Sequence, residues 1–247
     1  MLKEKIKANF NRAAADYESV ASVQERAADC LIQCLNEAVP DLIPQKILDI
    51  GAGTGIVTKK LMSKFPATKY ILSDLSPRML EIAQSQLCER LDIDYIVGDA
   101  ENLVFQPVDL MISSLSFQWF ADLEGSLNKL WQDTEILAFS TLSKGTFFQW
   151  ERLYQTLELT NCKNYDYPTK KMLETYCLDL SPKKYLFQNK IYKLTFDDAL
   201  SFVKYLKHLG ANTPSSKAGQ DCLRLILKAK KDSFTISYKV FFAVLIK

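Results

Sequence analysis

Three observations predict an α/β chain built on a doubly wound parallel sheet. Short apolar segments alternate with amphipathic helical ones between residues 45 and 142. A glycine-rich turn and then two acidic turns follow the first three of those apolar segments. Residues 234–246, which end in an apolar run from Val240 to Ile246, read as a further strand. Strands separated by helices pair in parallel and need helices on both faces. The length, 247 residues, suits one large domain or a domain with an inserted cap. With 48% hydrophobic and 24% charged residues, intrinsic disorder is excluded, and 8 Gly with 8 Pro exclude a collagen-like chain. No run approaches the ~20 apolar residues of a membrane span. The charged start, Met1 to Lys7, has no apolar core behind it, so a cytoplasmic protein with no membrane partner is expected.

The elements follow in order. Val20, Val23, Ala27, Leu31, Leu35 and Ala38 recur at three- and four-residue steps and predict a helix over 19–39. Ser22 with Glu25 has capping-box form, and Pro40 and Pro44 end the segment. Lys46 to Ile50 reads as a short buried strand, followed by Gly51-Ala-Gly-Thr-Gly55 and a helix from Ile56 to Lys64. A second strand runs from Tyr70 to Ser73 and ends at Asp74. Ser76-Pro77 starts the next helix, Ser as N-cap and Pro at the first helical position. Strand three is Asp94 to Val97 and strand four Val108 to Ser113; a helix from Glu124 to Trp131 precedes strand five, Ile136 to Thr141. Beyond residue 143 the rhythm loosens. Helices are predicted near 147–159, 197–209 and 220–230, with extended chain over 185–196. Residues 1–40 and 197–232 are expected to cap a single domain of residues 1–247, whose ligand-binding core is 45–142.

The six cysteines contain no C-x-x-C pair and read as reduced structural thiols. Cys30 and Cys34 have the spacing that opens one kind of iron–sulfur loop, but its third position holds Glu37. No metal site is expected. The single histidine, His208, has no G-x-S-x-G beside it, which disfavours a hydrolase triad. The net charge of +2 hides an asymmetry. Residues 1–143 carry 13 basic and 20 acidic side chains, and residues 144–247 carry 18 and 9. The second part reads either as a solvated lysine-rich surface or as a face for an anionic partner.

In a doubly wound sheet, ligands bind outside the carboxyl ends of the strands. There the glycine turn allows close approach to backbone, Asp74 offers acceptors for a ribose diol, and Asp99-Ala-Glu101 offers an acceptor for an adenine amino group. Ser114 to Trp119 follows strand four, polar and aromatic together. A dinucleotide dehydrogenase would place a third glycine at position 56, which holds Ile56. The G-K-[ST] of a nucleoside triphosphatase is also absent. An adenosyl ligand without phosphates explains both absences, and S-adenosylmethionine is such a ligand.

Leu48-Asp-Ile-Gly-Ala-Gly-Thr-Gly55, Asp74-Leu-Ser-Pro-Arg-Met-Leu80 and Gly98-Asp-Ala-Glu101 resemble the motifs of class I S-adenosylmethionine-dependent methyltransferases. That resemblance implies a Rossmann-like seven-stranded sheet with an antiparallel last strand. It also implies cofactor contacts from Asp49, Gly51, Ala52, Gly53, Gly55, Asp74, Leu75, Asp99, Ala100, Glu101 and Ser114. A narrower resemblance, to the malonyl-acyl-carrier-protein O-methyltransferases of biotin synthesis, rests on other segments. These are Phe10 to Tyr17 with Gln24, Ser113 to Trp119, Leu137 to Thr146, Phe196 to Leu200 and Leu206 to Asn212. The Pro-Gly-Gly turn usual before strand five is replaced by Gln132-Asp-Thr-Glu135, and the usual Asn after strand four is Ser114.

The resemblance implies methyl transfer to the free carboxylate of malonyl-acyl-carrier protein. A carboxylate is already ionised at neutral pH, so no general base is needed. Arg12 and Tyr17 are the candidate clamp for that carboxylate, and Gln118 and Trp119 the candidate lining of the methyl pocket. Lys207 and Asn212 are candidates to contact substrate or carrier. Acyl carrier protein is the expected partner, with nucleic acid not expected. Methylation of another small acid or a quinone-like ring, and a non-catalytic binding module on the same fold, stay open at this point.

Overall fold

Alternation along the strands sets the layering. Odd and even positions of each buried strand face opposite sides, so one strand feeds two cores. In a computed structural model, which describes residues 2–88, 92–159, 166–211 and 217–247, seven strands form one sheet in the order β3-β2-β1-β4-β5-β7-β6. They are β1 (Lys46–Ile50), β2 (Lys69–Asp74), β3 (Ile93–Val97), β4 (Val108–Ser114), β5 (Thr134–Leu142), β6 (Lys184–Phe196) and β7 (Phe234–Ile246). The helices are α1 (Leu2–Ala13), α2 (Tyr17–Val20), α3 (Ser22–Ala38), α4 (Ile56–Lys64) and α5 (Pro77–Gln86), then α6 (Leu123–Gln132), α7 (Phe148–Thr156), α8 (Lys170–Asp179), α9 (Ala199–His208) and α10 (Lys217–Ala229).

β1 to β5 pair in parallel, and β7 lies antiparallel between β5 and β6. On β7, Val240, Phe242 and Val244 enter the core with α3 and α4, whereas Phe241, Ala243 and Leu245 enter the core with α6 and α8. On β1, Ile47 joins the first core, and Leu48 and Ile50 the second. The sheet is therefore covered on both faces.

Four sequence expectations change. The helix expected over 19–39 breaks at Ala21 into α2 and α3, and Ser22 makes no side-chain cap. The first 40 residues do not act as one cap element. Val23, Leu31 and Leu35 of α3 are fully buried against the sheet, while α1 and α2 sit over the strand ends. Helix α8 was not foreseen, although Thr169 caps it by accepting the Met172 N–H at 3.1 Å. Finally, Cys222 is disulfide-bonded, against the reduced state expected for all six thiols; Cys30, Cys34, Cys88 and Cys177 are free. Where a Pro-Gly-Gly turn is usual, Asp133 alone links α6 to β5.

The link from α9 to the site is close-packed. Gly210 has φ +73°, and a Cβ there meets Phe10 Cδ1 at 2.8 Å and the Phe10 Cα at 3.1 Å. Gly210→Ala should therefore push α1 away and destabilise the fold by about 1–3 kcal/mol. Urea unfolding checks this, and an unchanged midpoint would show that α1 is not seated on α9.

Candidate active site

The strand order reverses between β1 and β4, and a Ser113 hydroxyl donating to the Ile50 carbonyl at 2.8 Å holds their ends together. The turn after β1 opens here. Gly51 has φ +66°, and a Cβ on it falls 1.9 Å from Ser116 Oγ, so only glycine lets the turn after β4 approach. Gly53 has φ +57° and no atom within 4 Å of an added Cβ; its side faces the cavity. Gly55 starts α4 and packs near Leu87 instead of lining the cavity.

The turn's N–H groups are already engaged. Gly51 and Ala52 donate to the Ser73 carbonyl at 2.7 and 3.1 Å, and Gly53 donates to Asp74 Oδ2 at 2.9 Å. A phosphate cradle needs such groups free, so the turn suits a ligand without phosphates. Asp74 Oδ1 accepts the Ser76 N–H at 2.7 Å. Burial pushes the Asp74 carboxyl up from its ordinary value, and the N–H groups of Ser76, Gly53 and Leu75 pull it back in part. Asp74 lines the cavity, where its remaining lone pairs suit a ribose diol.

The other acids differ in role. Asp49 lies beneath the turn, outside the lining, and accepts the Thr58 hydroxyl at 2.7 Å on one oxygen while the other is buried without a partner. Burial raises its carboxyl to about 7, against the hydrogen bond from Thr58 and with help from the charge of Asp74. Asp99 lines the cavity and takes the Lys3 ammonium at 3.0 Å. Glu101 does not line it. Its carboxylate accepts the Ala121 and Asp122 N–H groups at 2.9 Å and pairs with Lys3.

A second cavity shares a wall with the first, made by Phe10, Tyr17, Leu115 and Trp119. Leu115 makes the bend between them with φ +50°, a strained conformation for leucine, held by its N–H donating to the Ser140 carbonyl at 3.0 Å. Gln118 lies in the second cavity; its amide nitrogen donates to the Leu115 carbonyl, and its amide oxygen is buried without a partner. Gln24 also reaches this cavity with a buried, unpartnered oxygen. Burial pushes the Tyr17 phenol far up, so it stays a neutral donor. Leu75, Ala100 and Ser114 line the first cavity, Ser114 with its hydroxyl 3.0 Å from that of Ser140. Ala52 is buried behind the turn.

Arg12 is not brought to either cavity. Ile6, Asn9 and Ala13 set the buried face of α1, and Arg12 falls outside it, exposed. Lys207 is likewise exposed and lines neither cavity. Asn212 lies outside the described residues. His208 is exposed, its Nδ1 3.2 Å from Asp16 Oδ2. Lys3, Leu115 and Tyr167 join the linings without being singled out in the sequence. Nothing in periodicity marks them, because each depends on how distant segments fold over the strand ends.

Asp74→Asn keeps an acceptor for Ser76 and removes the charge that strengthens bonds to a ribose. Each such bond is worth ~1.5–3 kcal/mol, so S-adenosylmethionine affinity should fall about tenfold or more by calorimetry. Equal affinity would place the ribose elsewhere. Asp49 makes a second expectation. Its folded pKa lies above the ordinary 3.8, so its contribution to stability is present at low pH and lost as pH rises toward about 7. On ligand-free protein, Asp49→Asn should therefore gain stability relative to wild type between pH 5 and 8, by on the order of 1–3 kcal/mol. A pH-independent difference would show that Asp49 is already charged at pH 5.

A family model described as a methyltransferase domain matches residues 47–132. The malonyl-[acyl-carrier protein] O-methyltransferase of Neorickettsia risticii (strain Illinois) is 30% identical over 239 residues, 97% of this chain and 94% of that one. The protein of the same name from Magnetococcus marinus is 29% identical over 254 residues, covering 95% and 89%. Among solved structures, a Haemonchus contortus phosphoethanolamine N-methyltransferase 2 in complex with S-adenosylhomocysteine superposes with a TM-score of 0.61 at 16% identity. It covers 96% of this chain and 57% of that one, and shows a shared fold. With similarity running through the cap as well as the strand-end turns, the chain belongs to the malonyl-[acyl-carrier protein] O-methyltransferase family.

Proposed function

We propose that this chain methylates the free carboxylate of a malonyl thioester on acyl carrier protein, an early step of biotin synthesis, with S-adenosylmethionine as donor. The observation that carries the reading is the pair of cavities with one shared wall. One presents Asp74 and Asp99 with a glycine turn, and the other is apolar with neutral polar groups. When bound, S-adenosylmethionine supplies a methyl group on a positively charged sulfur, which leaves as a neutral thioether when a carboxylate oxygen bonds to that methyl. The acids around the first cavity suit a cationic ligand.

The second cavity must hold an anion without quenching it. Among the described residues no Lys or Arg lines it. A cation paired to the substrate carboxylate in a dry pocket would stabilise the ground state as the charge is about to disappear. Neutral donors orient it at less cost to its nucleophilicity. Tyr17 stands on the shared wall and is the orienting donor in this reading, in place of the exposed Arg12. Trp119 and Phe10, edge to face with centroids 5.6 Å apart, exclude water beside it. No histidine or carboxylate base is called for, since the nucleophile is ionised at neutral pH.

The basic excess of residues 144–247 is read as the face that meets the acidic carrier in the cytoplasm. No helix among the described residues is long and apolar enough to cross a membrane.

Transfer of labelled methyl to malonyl carrier protein, against free malonate and other small acids, tests this reading. Transfer to the small acids alone would overturn it. Tyr17→Phe should lower the rate about 10- to 100-fold, the loss of one hydrogen bond to a charged group, with cofactor affinity nearly kept. Added salt should raise the apparent KM for the carrier and leave kcat unchanged.

A further inference from the structure

Helix α1 meets the site at three points along its length. Near its start, Lys3 Nζ lies 3.0 Å from Asp99 Oδ1, pairs with Glu101 Oε2 and stands 5.1 Å from the Phe120 ring centroid. In its last turns, Phe10 packs on Trp119. Asn11 Oδ1 accepts the Ser76 hydroxyl at 2.6 Å, and the Ser76 N–H is bonded to Asp74. All three points therefore touch groups that face the first cavity or hold one that does.

Packing against Gly210, after α9, also seats α1. It has 12 residues, of which Ile6, Asn9 and Ala13 are buried. A helix that short is marginal alone, so its seating depends on individual side chains. The Lys3 bridge is partly withdrawn from water, with side-chain exposures of 24% for Lys3, 19% for Asp99 and 12% for Glu101. Screening is weaker there than for a surface pair. Burial opposes the Glu101 charge, but the Asp122 N–H, Lys3 and the Ala121 N–H outweigh it and hold the carboxyl below its usual range. Through those N–H groups the bridge also ties α1 to the chain entering α6. Among the described residues, Lys3 is the only Lys or Arg lining either cavity.

We propose that Lys3 is a positioning residue that sets the rate of cofactor exchange, its bridge to Asp99 and Glu101 latching α1 over the first cavity. This rests on reading that cavity as the adenosyl site. Release requires the bridge to break and α1 to swing away, with the turn at Ala14–Asp16, between α1 and α2, as the hinge. The latch holds the cofactor without touching the reacting atoms, so it governs exchange and not the methyl-transfer step.

The test uses the full chain and stopped-flow displacement of S-adenosylhomocysteine, followed by tryptophan fluorescence. Lys3→Met should release it about tenfold faster or more, and Lys3→Arg should restore a rate near that of wild type. The KM for S-adenosylmethionine should rise in Lys3→Met, while the KM for malonyl carrier protein stays the same. Without any variant, salt should speed release from wild type, and this acceleration should be absent in Lys3→Met. Equal release rates in wild type and folded Lys3→Met, or a salt response that survives the substitution, overturns the latch. Failure of wild type to bind S-adenosylhomocysteine sinks the adenosyl reading instead.

Discussion

One carboxylate joins three segments that are far apart in the sequence. Asp74 receives N–H groups from Gly53, in the turn after β1, and from Ser76, at the start of α5. Ser76 in turn caps α5 through the Met79 N–H at 3.2 Å and donates its hydroxyl to Asn11 on α1. The shape of the turn, the start of the helix and the seating of α1 all converge on that side chain. Its oxygens are structural acceptors, and the side chain is half-buried and still open to the cavity.

This double use explains why the turn after β1 differs from a phosphate-binding loop built of similar residues. In a phosphate loop the N–H groups point at the ligand. Here they point back at Ser73 and Asp74, and carboxylates face the cavity instead. The charge of the cavity is thereby reversed by hydrogen-bond direction, with little change in residue type. The neighbouring cavity completes the contrast. Its polar groups are phenols and amides, suited to an anion that must remain reactive.

Much of the sheet and its first cavity was legible because the signals are local. A five-residue apolar strand, a glycine turn and a Ser-Pro helix start each declare themselves within a few residues, and β1, α4 and α5 lie where those signals put them. The seven-strand count and the antiparallel last strand came from family resemblance, since spacing alone does not say where residues 234–246 insert. The second cavity was less legible. Arg12 and Tyr17 are five apart, a spacing that assigns no common helix face, and the break between α1 and α2 separates them further. Leu115 draws no notice as a leucine in an apolar stretch; its importance lies in a left-handed backbone that only the fold imposes. Helix α8 carried a readable cap at Thr169, but two exposed apolar residues, Met172 and Leu178, blurred its pattern.

The place of β7 has a consequence for biosynthesis. It follows β6 in the chain yet lies between β6 and β5. During translation β6 leaves the ribosome with no neighbour to pair with, and β5 keeps an open, apolar edge until Phe234–Ile246 arrives. An unpaired edge of that kind is a template for misassociation. Lys184, Lys190 and Lys193 are exposed on β6, and charges of this kind discourage edge-to-edge pairing. Completion of the sheet is then a single insertion of β7 that pairs both neighbours at once.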